Sequence, residues 1–217
     1  MKEREFLEMV RTLPVFTTKQ ISAILGDYRY SKVYLNRMIK KGLIRRLKRG
    51  FYTVHEDPLI FATHIYYPSY VSLWYAFQHY GTTTQLPITI EIMTYKNGSF
   101  QNMEFIKSRH LWGYHRIKHL GFDVFMSDIE KAIIDAVTTE RVPLDEIQNA
   151  VKNCDIDKLE EYTMKMDISS MKKIGFVVEL AGFFLEKVYK KIKKDRNYVH
   201  FYTTEKGSKW RVVSDRF

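Results

Sequence analysis

Between Arg29 and Arg49 the chain carries nine lysines and arginines and no aspartate or glutamate. Such a stretch repels itself, so it folds only with its cations turned to solvent or to a partner of opposite charge. The whole chain of 217 residues has 35 Lys+Arg against 25 Asp+Glu, a net charge of +10. The 21-residue window accounts for +9, and the remaining 196 residues carry 26 cations against 25 acids. A basic block can be a plain solvated face. A block free of acids inside a folded pattern points to a polyanion, here nucleic acid.

The residues around the window have the punctuation of small helices. Phe6, Leu7, Val10 and Leu13 recur at helical spacing, and Pro14 stops them. In FTTKQISAILG, Thr17 is placed as N-cap with Gln20 as its reciprocal partner, Phe16 and Ile21 as a hydrophobic staple, and Gly26 as the left-handed terminator. A third helix is expected from about Tyr30 to Lys41, closed by Gly42. At 100° per residue Tyr28, Ser31, Leu35, Met38 and Ile39 share one face, and Arg29, Tyr30, Val33, Asn36, Arg37 and Lys40 the other. LIRRLKRGFYTV then reads as a hairpin with Lys48-Arg49-Gly50 at its tip. Helix, short helix, basic helix and basic hairpin make a winged helix-turn-helix over residues 1–55, with the third helix in the major groove. Asn36 and Arg37 suit bidentate contacts to adenine and guanine edges. Tyr30 suits a thymine methyl or a phosphate. Lys32, Lys40, Lys48 and Arg49 suit phosphates, which set register without reading sequence; Arg46 is a further DNA-binding candidate. The alternative is a winged domain used for protein contacts.

Residues 56–217 predict an α+β domain with a small, mostly antiparallel sheet. Asp57-Pro58 opens a short helix. YVSLWYAFQHYG is a helix capped by Ser72 and stopped by Gly81. ITIEIMT alternates as a half-buried strand, Asn97-Gly98 marks a turn, and further strands are expected over 102–106, 113–117 and 122–126. SDIEKAIIDAV begins with a capping box of Ser127 and Glu130. Helices follow over about 144–152 and 157–166, then a long one from about Ser170 to Lys194. In that long helix Met171, Ile174, Val178, Ala181, Leu185, Val188 and Ile192 form an a/d seam, for the domain's own core or for a dimer. The neighbouring stripe of Gly175, Glu179, Gly182 and Glu186 allows close approach of another element. NYVHFYTT and KWRVVSD are expected as closing strands.

Other chemistries find little support. A single cysteine, Cys154, excludes a disulfide framework and fits a reducing cytoplasm. MKEREFLEMV is no signal peptide. The run Ile174 to Val188 is interrupted by Glu179 and Glu186, so it reads as a buried helix and not a membrane span. No phosphate loop, dinucleotide fingerprint, zinc-protease or serine-hydrolase motif occurs. His110, His115 and His119 crowd together, but His115 and His119 would share a metal only on a helix, and their surroundings read as strand. Glu130, Lys131 and Asp135 are expected as exposed ion pairs and caps. Gly98-Ser99 and Gly207-Ser208 lack the paired carboxylates that nucleotidyl transfer needs. The expectation is a binding protein with no cofactor and no metal; an enzyme targeted to nucleic acid and a protein-interaction adaptor are the competing classes.

The chain resembles the AbiEi-type antitoxins, the regulatory partners of nucleotidyltransferase toxins in type IV toxin–antitoxin systems. The resemblance rests on RGFY closing the winged domain, then Tyr70, Ser72, Ala76 and Gly81, then QLPITI, SDIEKAIIDAV and the closing KWRVVSD. It implies a transcriptional autorepressor that binds promoter inverted repeats as double-stranded DNA, two copies to a repeat, and a C-terminal domain that counteracts the toxin. The alternative is a stand-alone winged-helix regulator with no toxin beside it.

Overall fold

The structure, a computed structural model, describes residues 2–203 and 209–214. Gly207-Ser208, Thr204 and Asp215 of the segments named above lie outside them. The first helix, α1 (Glu3–Val10), ends three residues earlier than its apolar spacing predicts. Arg11 caps it, and Leu13 is held by a turn in which its N–H donates to the Val10 carbonyl. Then come β1 (Phe16–Thr17), α2 (Thr18–Leu25), α3 (Tyr28–Lys40), β2 (Arg45–Lys48) and β3 (Phe51–Thr53). The three strands form an antiparallel sheet in the order β1-β3-β2. This is the expected winged helix-turn-helix. The capping box of Thr17 and Gln20 is formed, and Gly26 takes the left-handed cap at φ 77°. The core of this module comes from its own residues. Phe6 meets Phe16 and Tyr34 edge-on, and Phe16 stacks on Tyr52, around buried Ile21, Leu35, Met38 and Ile44.

The chain continues through α4 (Pro58–Ala62), β4 (Ser69–Val71), α5 (Leu73–His79), β5 (Ile90–Thr94), β6 (Gly98–Phe100), β7 (Met103–Lys107), β8 (Tyr114–His119) and β9 (Phe122–Ser127). The six strands β4 to β9 form one sheet, ordered β6-β7-β5-β4-β9-β8. β4–β5 and β6–β7 are antiparallel pairs. Two expectations need correction here. β4 is not among the expected strands, because the three residues between Pro68 and the Ser72 cap are too short a run to show alternation. β5 is buried on both faces, whereas its alternation predicts one wet face. It is a central strand, and Glu91 within it accepts the Trp74 N–H at 3.3 Å.

The helical remainder comprises α6 (Ile129–Thr139), α7 (Leu144–Lys152), α8 (Ile156–Thr163), α9 (Ile168–Leu180) and α10 (Glu186–Ile192), followed by β10 (Val199–Phe201) and β11 (Val212–Ser214). β10 and β11 pair in parallel. α6 is capped at Asp128 and not by a Ser127–Glu130 box, since Ser127 is the last residue of β9. The single long C-terminal helix is also corrected: it is two helices. Ala181 is the C-cap of α9 and Gly182 follows at φ 92°. The Gly182 N–H reaches the Glu179 carbonyl and the Phe183 N–H the Val178 carbonyl, which is a Schellman motif. All seven a/d positions are nevertheless buried on either side of the break. Gly175 provides the close approach expected of its stripe. A Cβ there would lie 2.1 Å from the Trp210 ring.

The described residues group into two compact units. One contains the residues up to Val71 with Ile92–Leu111 and Arg116–Phe125; the other contains Ser72–Glu91, Trp112–His115 and the residues from Met126 onward. The unit that holds the winged module therefore runs on past residue 55.

Candidate nucleic-acid interface

The orientation of α3 follows from its cap and its apolar stripe. The Asp27 carboxylate accepts the Tyr30 N–H at 2.7 Å, so the helix starts at Tyr28, two residues earlier than expected. Ser31, Tyr34, Leu35 and Met38 are buried. Tyr34, absent from the inward face expected from sequence, is buried, and Tyr28, placed on that face, is not. Tyr28 itself is 48% exposed, with the Lys32 ammonium 4.4 Å over its ring. The opposite face presents Arg29, Tyr30, Lys32, Val33, Asn36, Arg37 and Lys40, all exposed. Val33 is 66% exposed, an apolar contact surface among cations.

The hairpin supplies the rest. The β2–β3 register shifts between Arg46 and Lys48, passing from Arg46↔Tyr52 to Lys48↔Phe51, so Leu47 sits in a bulge. Arg46 and Arg49 are exposed, and Gly50 turns the tip at φ 82°. The Gly50 carbonyl accepts the Thr18 N–H at 3.0 Å, tying the tip to the start of α2. A hollow of about 170 Å³ lies between α3 and the hairpin, lined by Thr18, Tyr28, Lys32, Asn36, Arg46, Arg49, Gly50 and Tyr52. The fold thus brings Lys32, Asn36, Arg46 and Arg49 from two elements to one place.

Pairing separates the nine cations of the acid-free window. Lys41 pairs with Glu3, and Arg45 with Glu56 at 2.9 Å. Lys48 turns inward: its Nζ donates to the Ile65 carbonyl at 2.8 Å and lies 4.1 Å from the Phe51 ring centre and 3.8 Å from that of Tyr66. Burial, with the charge of Lys96 in addition, holds its pKa below the ordinary lysine value. Arg29, Lys32, Arg37, Lys40, Arg46 and Arg49 make no ion pair with an acid among the described residues. An unpaired cation is available to a phosphate without first breaking an ion pair. Nine of the ten residues singled out from sequence are therefore exposed on α3 and the hairpin, and Lys48 stands apart. Tyr28, which lines the hollow, was missed; the signal was Asp27, a stronger N-cap than any residue nearer Tyr30.

A second charged cluster lies on α6, with the opposite character. Glu130, Lys131 and Asp135 are buried, not exposed as expected. Lys131 donates to Asp135, whose other oxygen accepts from Ser72 Oγ at 2.9 Å. Glu130 accepts the Asp155 N–H at 3.1 Å and pairs with Lys158 at 3.0 Å. Asp128 accepts from the Tyr162 hydroxyl at 2.7 Å and contacts His115 Nδ1 at 2.8 Å and Lys158 at 3.2 Å. Burial alone would raise the Asp128 pKa; those partners outweigh it and hold the carboxyl below its ordinary value. Burial pushes the Cys154 thiol up to about 12, so it is no thiolate nucleophile at neutral pH. His115 and His119 lie on strand β8, and His119 Nε2 contacts Asp57 at 2.7 Å. Among the described residues no three His, Cys, Asp or Glu side chains gather as a metal site. No described helix is long and apolar enough to cross a membrane.

This geometry is that of a helix-turn-helix module with a basic outer face on its third helix and hairpin. Residues 4–55 match the model of a family described as transcriptional regulator, AbiEi antitoxin. The crystal structure of the RV2827C protein from Mycobacterium tuberculosis is similar over 97% of this chain and 90% of that one, with a TM-score of 0.60 and 12% identity. That likeness shows a shared fold. No curated protein matches the chain.

Proposed function

We propose that the chain is a sequence-specific DNA-binding autorepressor and antitoxin, a binding protein and not an enzyme, which acts in the cytoplasm against a nucleotidyltransferase toxin. The observation that carries the DNA half is the set of six unpaired cations on α3 and the hairpin. Arg29, Lys32, Lys40, Arg46 and Arg49 contact phosphates, with the hairpin tip on the backbone or the adjacent minor groove. Asn36 and Arg37 read base edges, and Tyr30 and Val33 supply apolar contacts to thymine methyls. The family match over residues 4–55 supports this assignment. Two copies bind an inverted repeat in the promoter of the chain's own operon.

The antitoxin half is supported by that family's description. Its test uses the full-length chain expressed from a foreign promoter, so that repression cannot contribute to growth. A double variant, Arg37→Ala with Arg49→Ala, is expected to lose promoter binding in a gel-shift assay and still rescue growth against the neighbouring nucleotidyltransferase. Loss of rescue together with DNA binding would contradict separable functions. No rescue by the unmodified chain would leave a stand-alone regulator.

A further inference from the structure

Lys48 is a wing cation that faces inward, and the bulge explains why. In a regular strand residues two apart share a face, so Lys48 would point outward with Arg46. The extra residue at Leu47 reverses that. The Lys48 ammonium then reaches the Ile65 carbonyl and lies against the rings of Phe51 and Tyr66. Phe51 belongs to the hairpin. Ile65 and Tyr66 lie beyond it, between α4 and β4, in the same compact unit. Tyr66 is itself held edge-on by Phe105, at 5.0 Å, and by Tyr95, at 5.9 Å. The wing is thus joined through one side chain to a ring fixed on the β5–β7 side of the sheet.

We propose that Lys48 is a positioning residue, which with Tyr66 clamps the wing at the angle needed for Arg46 and Arg49 to reach DNA. Operator affinity then depends on a residue outside the segment 4–55. The proposal rests on the DNA-binding reading above and makes a distinction that reading does not. A phosphate-contacting lysine adds to the salt dependence of binding, because contact releases a counterion. A clamp contributes affinity at every salt concentration alike. It uses the cation–π and hydrogen-bond energy of a partly desolvated ammonium to keep the wing ordered before DNA arrives.

The test measures binding of the full-length chain, by fluorescence anisotropy across a KCl series, to a duplex carrying the inverted repeats upstream of its own reading frame. Lys48→Met keeps the apolar stem and removes the charge. Tyr66→Leu removes the ring without touching any charge, and Tyr66→Phe keeps the ring. Lys48→Met and Tyr66→Leu are each expected to weaken binding about three- to tenfold with the salt slope unchanged. The two losses together should be smaller than their sum, because both variants remove the Lys48–Tyr66 contact. Tyr66→Phe should bind as the unmodified chain does, and Arg49→Ala should flatten the slope by about 0.9. A flattened slope in Lys48→Met with a neutral Tyr66→Leu would make Lys48 a phosphate contact and overturn the clamp. Unchanged affinity in both would overturn it too. Lys48→Met alters no core packing, so it remains readable if Tyr66→Leu does not fold. If the unmodified chain fails to bind DNA, the functional reading falls, and amide hydrogen exchange of the wing judges the clamp by itself. Faster exchange over residues 48–51 in Lys48→Met is expected, and unchanged protection contradicts it.

Discussion

The α3–wing face and the α6 cluster both hold several charged side chains, yet their charges are arranged in opposite ways. On α3 and the wing six cations stand exposed and make no ion pair with an acid among the described residues, while around α6 buried carboxylates are paired with Lys131 and Lys158. Stability explains the second arrangement but not the first. Unpaired like charges on one face cost electrostatic energy in the free protein, and that cost is recovered only when a polyanion covers them. Charge pairing, more than charge count, separates a surface built for a partner from one built to hold the fold.

The comparison breaks first, and most visibly, at Lys131. Its ammonium is fully buried with Asp135, so Lys131→Met leaves a buried carboxylate short of its cation. We expect a loss of about 3–5 kcal/mol in urea unfolding. A loss below about 1 kcal/mol, the size of an exposed pair, would remove the contrast. Gly175→Ala, which drives a methyl into the Trp210 ring, should cost roughly 1–3 kcal/mol and change the tryptophan fluorescence.

Substitutions on the other face should spare stability and act on DNA. Arg37→Ala is expected to cost roughly 1–3 kcal/mol of operator affinity and relax base preference at one position, whereas Arg49→Ala should weaken all sequences alike. Equal, non-selective losses from both would show that α3 does not read sequence. A pH series sharpens the contrast further. The Asp128 carboxyl titrates below its ordinary value of 3.8, so its stabilisation is present above that pH and lost as pH falls through the lower folded value. The gap in melting temperature between the unmodified chain and Asp128→Asn should therefore be full at pH 7 and narrow below pH 3.8. The smallest effect is expected at Lys41. It is already paired with Glu3 on the surface, so Lys41→Gln should change stability by under about 1 kcal/mol and the salt slope of DNA binding hardly at all.

Local signals carried much of this into the sequence. The Thr17–Gln20 box, Gly26 and the helical phase of Leu35 and Met38 place α2 and α3, because each is set by residues within one or two turns. Signals that depend on distant partners were not legible. Glu130, Lys131 and Asp135 look like any exposed helical charges until Ser72, Asp155 and Lys158 arrive from other elements. β5 looks half-wet because alternation does not reveal that this central strand is buried on both faces. Gly182 was visible, but its close-packing role was read in place of its role as a left-handed cap, and the seam continued in phase across the break. The inward turn of Lys48 depends on one inserted residue, which no charge pattern encodes.

The central claim, that the six unpaired cations are the DNA surface, is tested most directly by the salt dependence of operator binding by the full-length chain. If about five of the six neutralise phosphates, log K should fall against log salt with a slope near −4 to −5 for each winged module, and about twice that for two copies on an inverted repeat. A flat titration would contradict the claim.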